Sequence, residues 1–136
     1  MDLFETIQAR QSVRAYQTAK VEPAKLEAIL AAANQAPSAG NLQAYQIHVV
    51  RDKKTKQALA KAALDQAFVA QAPVVLVFCA DPARSAARYG ARGEGLYCVQ
   101  DATIAAAYAQ LAATALGLAT CWVGAFDEEP VARAMH

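Results

Sequence analysis

A single globular domain that mixes helices with strands is what this sequence predicts, and three observations carry that reading. Of its 136 residues, 56% are hydrophobic and 18% charged, the balance of a chain that folds rather than one that stays disordered, and the length suits one domain over residues 1–136. Alanine- and leucine-rich stretches with helical spacing alternate with short β-branched runs, "YQIHVV" and "PVVLVFCA". No internal repeat, linker or low-complexity segment interrupts the pattern.

The N-terminal "MDLFETIQ" is amphipathic and acidic, unlike a signal peptide. Asp2 and Glu5 form a capping-box-like start to a helix running to about Ala9, with Leu3, Phe4 and Ile7 on one face. "RQSVRAY" follows without a clear period. Pro23 suits the first turn of a second helix, "PAKLEAILAAANQ", whose apolar face is Leu26, Ile29 and Leu30. "APSAGNLQ", Ala36 to Gln43, ends that helix before the strand "YQIHVV". It is unusually polar for such a connection: Ser38, Asn41 and Gln43 stand together, and Pro37 and Gly40 hold the turn.

Asp52 caps a third helix with Leu59 on its buried side, and a helical turn is expected near Asp65 to Val69. "PVVLVFCA" is continuously apolar, the signature of a central strand. Pro82 opens a short helix bearing Arg84 and Arg88. "YGARGEG" follows a helix rather than a strand and lacks the GK[ST] ending of a phosphate loop, so it is expected to be a mobile surface loop.

A long helix from about Gly95 to Leu116 ends at Gly117. Its Ala105, Ala106, Ala109, Ala112 and Ala113 permit close packing, against a second copy of the chain or against the chain's own sheet. Gln100, Asp101, Tyr108 and Gln110 mark it as a core helix rather than a membrane span. "ATCWVGAF" is expected to be a strand leading into a loop, and Asp127 to cap a final short helix. The brevity of that helix makes the chain look cut at its C-terminus.

The net charge of +1, with no strongly basic half, argues against nucleic acid as the main partner. The densest basic run, "RDKKTK", reads as a solvated helix start. Cys79, Cys98 and Cys121 are odd in number and far apart in apolar surroundings, the pattern of free thiols in a reducing, cytoplasmic compartment. No CxxC or Cys/His pair suggests a metal.

Three stretches carry chemistry. In "RQSVR", Arg10 and Arg14 flank Ser12, a pattern that suits a phosphate or another oxygen-rich anion, although exposed arginines are also simply solvated. "APSAGNLQ" offers neutral donors and acceptors. "TCWVGAF" ends in Gly124 and Ala125, small enough for the backbone to approach a planar ligand. Conventional catalytic groups are nearly absent. His48 sits in a strand and His136 at the terminus, and Asp101 reads as a packing or capping partner rather than a base. If the chain is an enzyme, its reactive atoms come from a cofactor.

In this order, "RQSVR", "APSAGNLQ" before a strand, and "QDATIAAAYAQLAATALGLATCWVGAF" together resemble the nitroreductase family of flavin enzymes over essentially the whole chain. The resemblance implies an α+β fold, a mixed, mostly antiparallel sheet surrounded by helices, and a homodimer sharing two FMN sites at its interface. It implies that Arg10, Gln11 and Ser12 lie at the phosphate and ribityl side of FMN and Arg14 at the pyrimidine edge of its ring. Pro37, Ser38, Asn41 and Gln43 would come from the other protomer, and Trp122, Val123, Gly124 and Ala125 would line the ring. Many members have Pro-Trp where this chain has Ala44-Tyr45. Members also continue with a further strand, a basic residue near the phosphate and an arm around the partner, so the chain is expected to lack its C-terminal segment.

The expected function is therefore electron transfer from NAD(P)H through FMN to a nitroaromatic, a quinone or a similar small acceptor, with Arg14 tuning the flavin and no side chain acting as a conventional catalyst. No nucleic acid and no membrane are expected as partners. The alternative is a non-catalytic flavin- or nucleotide-binding carrier or regulator.

Overall fold

A computed structural model describes residues 1–135, so His136 lies outside the described residues. Seven α-helices and two strands follow one another along them. The chain forms two compact units. One is built from Met1–Arg10, Glu22–Ile47 and Phe78–Leu118, the other from Gln11–Val21, His48–Val77 and the residues from Ala119 onward.

The core of the first unit is a helix pair. Helix α2 (Pro23–Asn34) has Pro23 in its first turn and buries Leu26, Ile29 and Ala33, three or four residues apart, on one face. It packs against α6 (Cys98–Ala115), which buries Cys98, Asp101, Ala102, Ala105, Ala109 and Ala113. Small side chains on α6 let the two backbones approach closely, and the leucine and isoleucine of α2 fill the seam. Each such apolar side chain contributes roughly 1.5–3 kcal/mol on burial. Of the alanine stripe, Ala105 (0% exposed), Ala109 and Ala113 are buried inside the unit, while Ala106 and Ala112 are half-buried. Within the chain the packing partner of α6 is a helix rather than the sheet.

Helix α6 ends as its glycine predicts. Gly117 adopts φ +80°, and the Leu118 N–H reaches back to the Ala113 carbonyl at 2.9 Å. Helix α1 (Leu3–Ala9) begins with the expected capping box between Asp2 and Glu5. Its inward residue, however, is Thr6, and Leu3, Phe4 and Ile7 all stay exposed, Phe4 at 79%.

Strands β1 (Tyr45–Val50) and β2 (Val75–Ala80) pair with each other. The Asp81 N–H, just past the end of β2, donates to the Ala44 carbonyl just before β1, so the strands run antiparallel. The expectation that β2 is central does not hold among the described residues. Its one ladder partner is β1, and all six of its residues are only half-buried.

In the second unit, α3 (Lys53–Ala62) starts at Asp52, whose carboxylate accepts from both the Thr55 N–H (2.8 Å) and the Thr55 hydroxyl (2.7 Å). These bonds hold the Asp52 carboxyl below its ordinary range. The expected turn near Asp65 appears slightly later, as α4 (Phe68–Gln71). Val50, Leu59, Ala60, Ala63 and Val69 form this unit's buried cluster, with Val123, Val131 and Met135 against it. The last helix, α7 (Glu128–Ala134), has Asp127 in the capping position, but the Asp127 side chain makes no capping bond. Its N–H instead donates to the Ala62 carbonyl at 2.8 Å.

Two expectations are corrected. "YGARGEG" is not a loop: α5 (Pro82–Arg92) runs through its first half and a π-helical turn, Gly93–Tyr97, leads directly into α6. Gly90 is non-helical at φ 58°, ψ −139°, so two helical pieces meet at a kink there and the helix resumes directly after it. "ATCWVGAF" is not a strand but extended chain touching its neighbour through one parallel bridge, Ser12 to Thr120. No helix among the described residues is long and apolar enough to cross a membrane.

Candidate functional site

The second unit brings two of the three chemical stretches together. Gln11, Ser12 and Arg14 lie in extended chain beside Thr120. Ser12 bridges Thr120, and the Val13 N–H donates to the Thr120 carbonyl at 2.9 Å. Tyr16 stands near both Arg14 and Cys121. Burial raises its pKa above the ordinary tyrosine value, Cys121 adds to the rise, and Arg14 opposes it. Gln11, Ser12 and Arg14 are all exposed.

Beyond the bridge, Trp122 is 45% exposed and Gly124 and Ala125 are open to solvent. Among the described residues no protein group accepts from the N–H of Trp122, Val123, Gly124 or Ala125. The Gln66 side chain reaches the Ala125 carbonyl at 3.4 Å from the outside. Unpaired peptide donors that follow the bridge at Thr120, on a chain joined to the segment of exposed Arg14, suit a planar, electron-rich, oxygen-bearing ligand. Arg10 closes α1, its N–H bonded to the Thr6 carbonyl at 3.1 Å, and its side chain is half-buried.

The third stretch lies in the first unit and is held as one piece. Ala39–Asn41 forms a single 3-10 turn, with Gly40 at φ 62°, Asn41 at 56° and Gln43 at 44°. Left-handed Asn is tolerated, whereas Gln there needs outside support. Part of it comes from the loop: the Gln43 N–H donates to the Ser38 hydroxyl (3.0 Å) and its side-chain amide N–H to Asn41 Oδ1 (2.6 Å). Pro37 is exposed before the turn.

The rest comes from Asp101, 3% exposed, whose two carboxylate oxygens accept from the N–H of Ala39 (3.1 Å) and of Ala44 (3.4 Å). One buried carboxylate therefore grips both ends of the loop, which is the packing and capping role its sequence position suggested. Tyr45 follows at once. Its hydroxyl contacts Asn34 Oδ1 at 3.0 Å, and burial, then the nearby Asp101, pushes its pKa up.

Sequence reading passed over a cluster on the other side of this loop. Arg88 lies over the Tyr89 ring, Arg92 over the Tyr97 ring, and Arg88 reaches the Gly40 carbonyl. The available signal was the four-residue spacing of Arg84, Arg88 and Arg92, hidden by treating "YGARGEG" as a loop.

A sequence model of the nitroreductase family matches residues 7–70 and 63–136, nearly the whole chain. This chain belongs to the nitroreductase family. It is 32% identical over 135 residues to a putative NADH dehydrogenase/NAD(P)H nitroreductase of Archaeoglobus fulgidus, covering 99% of this chain and 74% of that one. It is 32% identical over 140 residues to an FMN reductase [NAD(P)H] of Bacillus subtilis, covering 95% and 56%. Among solved structures, nitroreductase A from Vibrio parahaemolyticus superposes with a TM-score of 0.89 at 30% identity, over 99% of this chain and 61% of that one. The nitroreductase fold expected from the sequence is therefore the fold observed. This nitroreductase-family chain spans from 35% to 74% of the length of the curated relatives it matches.

Proposed function

We propose that this chain carries the FMN-binding framework of an oxidoreductase that takes electrons from NADH or NADPH and delivers them to a small acceptor such as a nitroaromatic or a quinone. The observation that carries the reading is the Ser12–Thr120 pairing, which joins the segment of Gln11, Ser12 and Arg14 to the chain that runs on into the unpaired peptide donors of Trp122–Ala125. The names of the relatives, an FMN reductase and NAD(P)H nitroreductases, support the same chemistry.

Bound FMN would supply a two-electron store between dinucleotide and acceptor. The chain's own groups would do the rest. Arg10, Gln11 and Ser12 would hold the phosphate and ribityl hydroxyls. Arg14 would place a fixed positive charge at the pyrimidine edge, where negative charge grows on reduction, and so favour the reduced state. Trp122, Val123, Gly124 and Ala125 would offer N–H groups along the ring. Pro37, Ser38, Asn41 and Gln43, held by Asp101, would close the site of a second protomer in a homodimer. The exposed Leu3, Phe4 and Ile7 on α1 give such a dimer an apolar surface to bury. Three free cysteines suit a reducing cytoplasm.

Titration with FMN tests the reading. Ligand at about 100 times its dissociation constant should add about 2.7 kcal/mol of stability, seen as a rise in Tm with flavin absorbance on the protein. Arg14→Ala should slow reduction by NAD(P)H more than it weakens FMN binding, because its partner changes charge during turnover. Flavin binding without NAD(P)H oxidation would point to the carrier reading. A Tm indifferent to FMN sinks both.

A further inference from the structure

Helix α5 and the π-helical turn after it carry an arrangement that the flavin reading leaves unused. The Arg88 guanidinium carbon lies 5.4 Å from the Tyr89 ring centroid and that of Arg92 lies 5.3 Å from the Tyr97 centroid. The Arg92 Nε–H donates to the Tyr97 hydroxyl at 2.7 Å. The two tyrosines lock together edge to face, centroids 5.1 Å apart at 86°. Arg84 stands one turn before Arg88 on the same helix. All three arginines are exposed, and the one ion pair among the described residues, Lys25 with Glu22, involves none of them. Glu94, the acidic residue of the π-helical turn, is exposed as well and within ion-pair distance of none of them.

The backbone beneath this cluster is built to hold it still. The π-helical turn, with its i→i+5 repeat, sets Tyr97 over Arg92. Gly93 sits so close to the helix that a Cβ there would lie 2.6 Å from the Ser85 carbonyl oxygen. π-Helical turns of this kind recur at binding sites. An arginine laid on an aromatic face keeps its N–H fork presented in one plane, suited to two phosphate oxygens at once. Two such forks, brought together by the Tyr89–Tyr97 contact, match a ligand with more than one phosphate.

The cluster is also tied to the polar loop. Arg88 Nη1 donates to the Gly40 carbonyl at 3.4 Å, and a Cβ on Gly40 would meet the Tyr89 hydroxyl at 2.6 Å. We propose that Arg88 and Arg92, stacked on Tyr89 and Tyr97, form the docking site for the phosphate groups of the reducing dinucleotide. This rests on the NAD(P)H reading above, which requires a doubly or triply phosphorylated substrate to be held within reach of the loop that would close the flavin site.

The test separates that reading from this one. Calorimetric titration of the whole chain with NADP⁺ and NAD⁺, without turnover, is compared between the native protein, Arg88→Ala/Arg92→Ala and Arg88→Lys/Arg92→Lys. The alanine pair should raise Kd about tenfold or more, the scale of losing charged hydrogen bonds to phosphate. The lysine pair should fall between, having charge without the fork, and it guards against a folding defect in the alanine pair. A loss for NADP⁺ alone assigns the site to the 2′-phosphate, and a loss for both assigns it to the pyrophosphate. In steady-state assays KM should rise with kcat and FMN affinity little changed. Equal Kd values for native protein and both variants overturn the proposal, even if FMN binding and NAD(P)H oxidation are intact. Absence of FMN binding with Kd still sensitive to the arginines would instead overturn the flavin reading alone.

Discussion

Replacing Asp101 tests how the polar loop is kept in shape. Asp101→Ala leaves the N–H of Ala39 and of fully buried Ala44 without their acceptor. An orphaned buried donor costs about 1–3 kcal/mol. The Ala44 contact, at 3.4 Å, is the longer and weaker of the two. The sum is roughly 2–5 kcal/mol, a large share of the 5–15 kcal/mol that holds a typical domain together. Asp101→Asn keeps one acceptor oxygen and turns an NH₂ towards the other N–H, so it should cost roughly half as much. Urea midpoints at constant slope give the stability change. Amide hydrogen exchange at Ala39 and Ala44 gives its location, since protection should fall there before it falls in α2. A third readout is specific to the charge: because Asp101 helps raise the Tyr45 pKa, the asparagine variant should move the Tyr45 titration down towards its ordinary value of 10.0. Both variants lying within about 0.5 kcal/mol of the native protein, the range of an ordinary surface change, with unaltered exchange, would refute the reasoning.

Two further outcomes follow from packing and charge. Above about pH 10 the chain should lose stability: with the pKa values of Tyr16 and Tyr45 raised by burial from 10.0, the unfolded chain releases those protons first. The contribution is complete below pH 10 and lost as pH climbs through the raised values, and Tyr45→Phe should flatten the decline of the urea midpoint between pH 8 and pH 11; identical slopes would contradict this. Gly93→Ala should lower Tm by the equivalent of about 1–3 kcal/mol, because the new methyl meets backbone at Ser85 rather than a movable side chain. Ser85→Ala, which removes a buried hydroxyl without a partner, should be nearly neutral alone; a harmless Gly93→Ala would show that the kink is loosely packed.

What the sequence made legible was whatever a local rule determines. Asp2 with Glu5, Asp52 with Thr55, Pro23 and Gly117 each fix a helix end through atoms a few residues away, and each end lies where expected. The period of Leu26, Ile29 and Ala33 likewise selects the buried face of α2. Local rules failed where the deciding partner is distant in sequence. "ATCWVGAF" has strand composition, yet a ladder needs a neighbour along its length, and only Thr120 finds one in Ser12. Leu3, Phe4 and Ile7 share one face of α1, yet the chain turns Thr6 inward and leaves that apolar face exposed. Of the candidate site, the Asp101 grip and the pairing of two chemical stretches both join segments far apart in sequence. Their residues were nameable in advance and their contacts were not.

The glycines of "YGARGEG" show how one residue type supports opposite readings. Counted as breakers they predict a loop, and a loop would leave Arg88 and Arg92 as unrelated solvated charges. In the structure Gly90 supplies the one positive-φ step that redirects α5, while Gly93 supplies the missing side chain that lets the redirected turn lie on the Ser85 carbonyl. Gly90 breaks the helix for one residue, and helical structure resumes at once. Together the two glycines turn a regular arginine spacing into two guanidinium–tyrosine stacks joined by a tyrosine–tyrosine contact. Exposed arginines on an ordinary helix would gain little from lacking carboxylate partners, since water solvates them. Here their side chains are already ordered by the rings, so part of the entropic cost of binding an anion is met before the anion arrives. That preorganisation, not the number of positive charges, is what distinguishes this segment from the "RDKKTK" run, whose Asp52 and Lys56 are engaged in holding α3 and the Ala72 carbonyl.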